Sequence, residues 1–182
     1  MHNIESTPAS PASTRRLAED ELTTIVVGLD FSLHGEDALW FAENLSRANP
    51  KATLHLVHVV APPMGVVGVL GAPIDASAPV TGMLERARSE LERVCSSVPV
   101  WLEGRVVGHV RTGDSAREIT ALARELDADL IVIGTHARTG LGRVFLGSLA
   151  ESISRHAPCS VLIAHELRPR TSAPPTSSPA YR

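Results

Sequence analysis

The chain has 182 residues, 43% of them hydrophobic and 3% aromatic, with 17 basic and 20 acidic side chains for a net charge of −3. That length holds one domain with extensions, and the acidic balance argues against nucleic acid, which needs a basic face to displace counterions. No apolar run approaches the roughly 18 residues of a membrane-spanning helix.

Residues 1–22 are rich in Ser, Thr, Pro and Ala, with no apolar period and no apolar core of a secretory signal. They predict a disordered tail and a cytoplasmic protein. Thr24–Asp30 is a short apolar run ending in Gly and Asp, a buried strand. His34–Ala48 carries Ala38, Ala42 and Leu45 at helical spacing. Ala52–Val60 is the second strand. Residues 61–80 are Pro- and Gly-rich and predict a long loop, unusually apolar over Pro62–Gly71. That loop reads either as a mobile insertion or as a lid or docking surface. Leu84, Ala87, Leu91 and Val94 mark an amphipathic helix. Val100–Arg111 holds the third strand, with Gly104 or Gly108 at a bend. Asp114 or Ser115 caps a helix over Ala116–Leu126. Leu130–Gly134 is a fourth strand, apolar on both faces. Leu149, Ile153 and Ala157 suggest a fourth helix, and Ser160–His165 a fifth strand. Residues 167–182, with four prolines, three arginines and no acid, predict a second disordered tail. The domain proper is 23–166, with 12 basic and 16 acidic residues.

Strands alternate with helices throughout. Apolar strands joined by helices predict an α/β fold, an open doubly wound parallel sheet of five strands with helices on both faces. In such sheets a ligand sits at the carboxyl ends of the strands, where the strand order reverses.

The loop after the fourth strand is the segment with chemistry. From Gly134 to Ser148 it runs about twice the usual strand-to-helix length. It holds four glycines in 134–147, together with His136, Arg138 and Arg143. Glycines let backbone N–H groups approach a ligand, and Gly147-Ser148 precedes an apolar helix whose N-terminus favours anions. Phosphate binding is one reading; a Gly-rich loop with a Ser cap is the other. A Walker A loop is excluded, because the single lysine, Lys51, follows Pro50. A response-regulator receiver would also need a late lysine. No Gly-x-Ser-x-Gly elbow or Cys-x-x-Cys pair is present, so no catalytic residue is assigned. Cys95 and Cys159 cannot build a disulfide framework or a four-cysteine zinc site and are read as reduced, mostly buried thiols. His55 and His58 are three apart on a strand and face opposite ways, so they share no metal, and His58 reads as a core histidine with its hydrogen bond satisfied.

The 134–148 segment resembles the nucleotide-binding signature of the universal stress protein family, Gly-x-x-Gly-x9-Gly-[Ser/Thr]. Gly134 matches its first position, Ala137 stands where the second glycine is expected, and Gly147-Ser148 completes it. Further likeness lies in Val27-Gly28-Leu29-Asp30-Phe31-Ser32, in Leu56-Val57-His58-Val59 and in Ala157-Pro158-Cys159-Ser160-Val161-Leu162. The resemblance covers 23–166 in the right order. It implies strand order 3-2-1-4-5 and an ATP-binding stress-response sensor or regulator, with a slow ATPase using Mg²⁺, or a nucleotide-independent interaction module, as alternatives. By that resemblance Gly28 and Asp30 serve base and ribose, Val59 meets the adenine with its backbone, and Ile133 and Gly134 meet the ribose. Ala137, Gly147, Ser148 and Leu149 hold the phosphates through backbone N–H groups, with the Ser148 hydroxyl. Asp30 reads equally as a strand-end cap, and His136 and Arg138 either pair with phosphate or sit in a solvated loop. Ala137 puts a methyl where the family brings phosphate close.

Strand five is an edge in that order, and Val161-Leu162-Ile163-Ala164 is uncharged and apolar. An unpaired edge of this kind invites a second copy, and the family commonly dimerises there, so a homodimer is expected.

Overall fold

The computed structural model describes residues 22–61, 77–134 and 147–165. The elements run β1 (Thr24–Gly28), α1 (Leu33–Ala48), β2 (Thr53–Val60), α2 (Ser77–Ser96), β3 (Val106–Thr112), α3 (Ser115–Glu125), β4 (Leu130–Gly134), α4 (Ser148–His156) and β5 (Ser160–Ala164), with a 3-10 turn at Val100–Leu102 before β3. All strand pairs are parallel, in the order β3-β2-β1-β4-β5. The α/β class, the five-stranded parallel sheet and the 3-2-1-4-5 order are those expected from the sequence.

Alternate side chains of the central strands point to two separate cores. Ile25, Val27, Leu54, Leu56 and Val132 pack with Ala38 and Ala42 of α1 and Leu91 of α2. Val26, Val57, Ile131 and Ile133 pack with Ile119, Leu122 and Ala123 of α3 and with Ala150 and Ile153 of α4. Helices therefore cover both faces, α1 and α2 on one and α3 and α4 on the other. β1 and β4 are buried on both sides, which is why they read as unbroken apolar runs.

Three boundaries differ from the sequence reading. The predicted loop over 61–80 is shorter, because α2 already begins at Ser77; residues 62–76 lie outside the described residues. The predicted strand Val100–Arg111 divides. Its first part is the 3-10 turn, Gly104 takes φ +77 where the chain reverses, and the strand proper starts at Val106. Gly108 is not the bend: it sits within β3, where a Cβ would lie 3.1 Å from the Leu91 side chain and 3.2 Å from Cys95 Sγ. β1 ends at Gly28, leaving Leu29 and Asp30 in the connection to α1.

At the amino ends of the central strands, Asp129 fixes the start of β1. One carboxylate oxygen accepts hydrogen bonds from Thr23 N, Thr23 Oγ1 and Thr24 N at 3.0–3.1 Å. Among the described residues no helix is long and apolar enough to cross a membrane.

Candidate functional site

The strand order reverses between β1 and β4, which pair side by side from Ile25–Leu130 to Gly28–Ile133. Helices after these two strands leave on opposite faces of the sheet, so a crevice opens at their carboxyl ends. A cleft of about 270 Å³ lies there. Its walls come from the ends of β1 (Gly28), β2 (Val57, His58, Val59) and β4 (Ile133, Gly134), from Leu29 and Asp30, and from the first turns of α1, α3 and α4.

Eight of the eleven residues singled out in the sequence line this one cleft: Gly28, Asp30, Val59, Ile133, Gly134, Gly147, Ser148 and Leu149. They come from separate segments and meet only through the parallel pairing. His136, Ala137 and Arg138 lie outside the described residues, as do all of 135–146.

The first wall is a hydrogen-bonded relay. Asp30 Oδ1 accepts from Ser32 N at 3.0 Å and from Ser32 Oγ at 2.6 Å. Ser32 is the N-cap of α1, and its Oγ in turn accepts from His34 N and Gly35 N at 3.3 and 3.4 Å. Gly35 must lack a side chain here, since a Cβ would stand 2.8 Å from Asp30 Oδ1. Between them Phe31 adopts φ 57, a left-handed conformation costing roughly 1 kcal/mol or more for a residue with a Cβ. Asp30 is exposed and has a defined structural duty in this turn.

The glycines have different reasons. A Cβ on Gly134 would lie 2.2 Å from the carbonyl oxygen of His34, so α1 can start where it does only over a glycine. A Cβ on Gly28 would touch Ile133 and Ile119 at 3.1 and 3.2 Å, making Gly28 part of the cleft floor. Gly147 is unlike both. Its φ is −59, open to any residue, and a Cβ there would meet nothing within 4 Å. Nothing in the described fold requires glycine at 147; the space beside it is the cleft.

Gly147 is also the N-cap of α4, and it makes no side-chain cap bond. By contrast α1 and α3 are closed by Ser32 and by Asp114, whose carboxylate accepts from Arg117 N at 2.9 Å. The first intrahelical bond of α4 runs from Glu151 N to Gly147 O, so the N–H groups of Ser148, Leu149 and Ala150 have no intrahelical partner. Those donors, the positive end of the helix dipole and the Ser148 side chain stand at the cleft wall. Such a helix end is suited to an anion, and the apolar wall of Val57, Val59, Ile119 and Ile133 beside it suits a flat, weakly polar group.

Eight lining residues had not been picked out as site residues from the sequence: Leu29, His34, Gly35, Val57, His58, Ser115, Ile119 and Ala150. The signal was available for Ser115, since the Asp114 cap puts it at the carboxyl end of β3. His34 and Gly35 follow from the Asp30–Ser32 turn. Among the described residues no three metal-ligating side chains gather at one place.

A model of the universal stress protein family matches residues 21–165. Universal stress protein A homolog 1 of Coxiella burnetii is 33% identical over 139 residues, spanning 76% of this chain and 92% of that protein. A universal stress protein family protein of Arabidopsis thaliana, solved with AMP bound, superimposes with a TM-score of 0.54 at 19% identity, over 85% of this chain and 97% of that one. A universal stress protein solved in complex with cAMP gives a TM-score of 0.52 at 23% identity, over 79% and 97%. At such identities the two structures share the fold with this chain.

Proposed function

The chain belongs to the universal stress protein family, and from that premise we propose that it binds an adenine nucleotide, ATP foremost, in the cleft between β1 and β4 and acts as a stress-response sensor or regulator. The observation that carries this reading is the N-terminus of α4: an uncapped helix end facing a cleft, reached past a glycine that the described fold does not need. Two structures of the same fold are solved with adenine nucleotides, AMP and cAMP, which supports the base and the ribose phosphate as the recognised parts.

In this reading the N–H groups of Ser148 and Leu149 and the Ser148 hydroxyl hold the phosphates. Gly134 and Ile133 border the ribose, and the base lies along Val59 and the floor at Gly28. Residues 136–138 would complete the phosphate contacts, and Mg²⁺ would accompany ATP through its phosphates. The same reading makes the protein a homodimer joined along β5. β5 is an edge strand of the sheet, and its residues Val161, Leu162 and Ile163 are half-buried and uncharged.

The test is mass spectrometry of whatever heat releases from freshly purified protein, followed by an ATP titration. Near-stoichiometric adenine nucleotide, or saturable ATP binding lost in Gly147→Val, upholds the reading. No released ligand together with no binding at millimolar ATP overturns it.

A further inference from the structure

A second cluster of titratable groups lies on the α3 face of the sheet, outside the cleft lining. His55 of β2 and His109 of β3 face each other, with His55 Nδ1 and His109 Nε2 3.0 Å apart and ring centroids 5.3 Å apart. The register explains the meeting. His55 pairs with Val107 and His109 with Val57, so the two histidines are diagonal neighbours on one face. Val107, the register partner of His55, is 42% exposed, so this part of the sheet face is open to solvent.

The geometry demands one proton between two nitrogens. A bond of this length needs one facing nitrogen to donate and the other to accept. A pair of neutral imidazoles satisfies that. One imidazolium donating to one neutral ring satisfies it as well. Two imidazolium ions do not, because both facing nitrogens then carry hydrogen and both rings carry charge. We infer that the His55–His109 hydrogen bond is an acid-labile tie between β2 and the edge strand β3, made at neutral pH and broken once acid has protonated both rings.

The surroundings favour the neutral pair. Burial holds both imidazoles below the ordinary histidine value, His109 adding repulsion on His55 and Arg111 on His109. Among the described residues, the charged groups from the packed elements are Arg111 on β3 and Glu118 and Glu125 on α3. Arg111 is engaged with both carboxylates, and Glu125 alone acts on His109 in the opposite direction. The tie sits close to the cleft. His55 shares its strand face with Val57 and Val59, which line the cleft, and β3 runs directly into Gly113, Asp114 and Ser115.

The sign follows from linkage. An unfolded chain takes protons on these rings near the ordinary value of about 6.5, while the folded pair resists them. The contribution is present above about pH 6.5 and is lost as pH falls through the lowered folded values.

Imidazole nitrogen NMR on the full chain from pH 8.5 to 5 tests this directly. At neutral pH the two facing nitrogens are expected as one protonated and one bare, and the two rings titrate below the histidines of an unfolded chain. In His109→Gln the His55 midpoint is expected to rise towards the ordinary value. Melting supplies the second readout: between pH 7.5 and 5.5 the parent chain should lose about 4 °C more than His109→Gln. Ordinary midpoints for both rings, indifferent to replacement of the partner, overturn the inference, as does an equal loss of melting temperature in parent and variant.

Discussion

His58 donates its Nδ1–H to the carbonyl oxygen of Leu29, 2.9 Å away, and its ring stacks on Phe31 with centroids 4.2 Å apart. Leu29 is held from its other side as well, its N–H reaching Val57 O at 2.9 Å. β2 therefore grips the connection between β1 and α1 at the point where Phe31 turns left-handed and Asp30 begins the cap of α1. The ring expected from the sequence to be a satisfied core histidine is the clamp on one cleft wall. His58→Ala should cost about 2 kcal/mol, roughly half from the hydrogen bond and half from the stacking. It should also weaken ATP binding, because the Asp30 turn loses its hold. Denaturant unfolding and an ATP titration check both; an unfolding midpoint equal to the parent's would refute the clamp.

Gly134 and Gly147 occupy two positions of one sequence signature and should respond in opposite ways. Gly134→Ala forces a methyl against the His34 backbone, carbonyl carbon at 2.6 Å and oxygen at 2.2 Å. Neither atom can yield without moving the start of α1, so the expected cost is about 3 kcal/mol. Gly147→Ala meets nothing and asks for no unusual φ. Its stability should stay within about 1 kcal/mol of the parent, while ATP affinity falls about tenfold (roughly 1.4 kcal/mol) as the methyl enters the cleft. Unfolding curves beside binding curves separate the two. Equal stability losses would mean that glycine 147 serves the fold.

The fold was legible because its signals are local and repeated. Unbroken apolar runs of strand length such as Leu130–Gly134 fit strands buried on both faces, and helical spacing fills the gaps between them. The cleft was legible as soon as the reversal between β1 and β4 was accepted, since eight named residues then had to converge. What the sequence did not display were distances between segments. Nothing in His34 announces that its carbonyl will press on residue 134, one hundred positions away. Likewise His55 and His109 look like isolated strand histidines until the β2–β3 register is known. The break of the third strand at Gly104 was hidden for another reason: Val100-Trp101-Leu102 is as apolar as a strand, and only the turn that follows prevents pairing.

Both thiols should be sluggish nucleophiles at neutral pH. Burial raises the Cys95 thiol, with Glu92 adding to it, and burial raises Cys159, with Asp129 adding to it. A higher value leaves less thiolate, and the thiolate is the reactive form. Reaction with a disulfide reagent at pH 7.5 should run about tenfold slower than for an unhindered cysteine. Its rate should still be climbing at pH 9, where an ordinary thiol has begun to level off. Cys95→Ala and Cys159→Ala assign the two phases. A plateau below pH 8 in either variant would contradict the assignment.

The β5 edge gives the last prediction, because among the described residues it carries none of the usual protection of an edge strand. An edge strand of a monomeric protein is usually blunted by charge or proline. Val161–Ala164 has neither, and the described residues place no further strand beside it. A second copy laid along this strand would satisfy the outward backbone groups and cover the half-buried Val161 and Ile163. Sedimentation at micromolar concentration should therefore give twice the chain mass. Val161→Lys brings one charge from each copy to the join and should weaken association at least about tenfold. Ser160→Lys, at the exposed start of the strand, should act more mildly. A parent chain that sediments as a monomer at every concentration up to 100 times that, which is about 2.7 kcal/mol of mass action, would remove the dimer and leave the bare edge to be explained by some other cover.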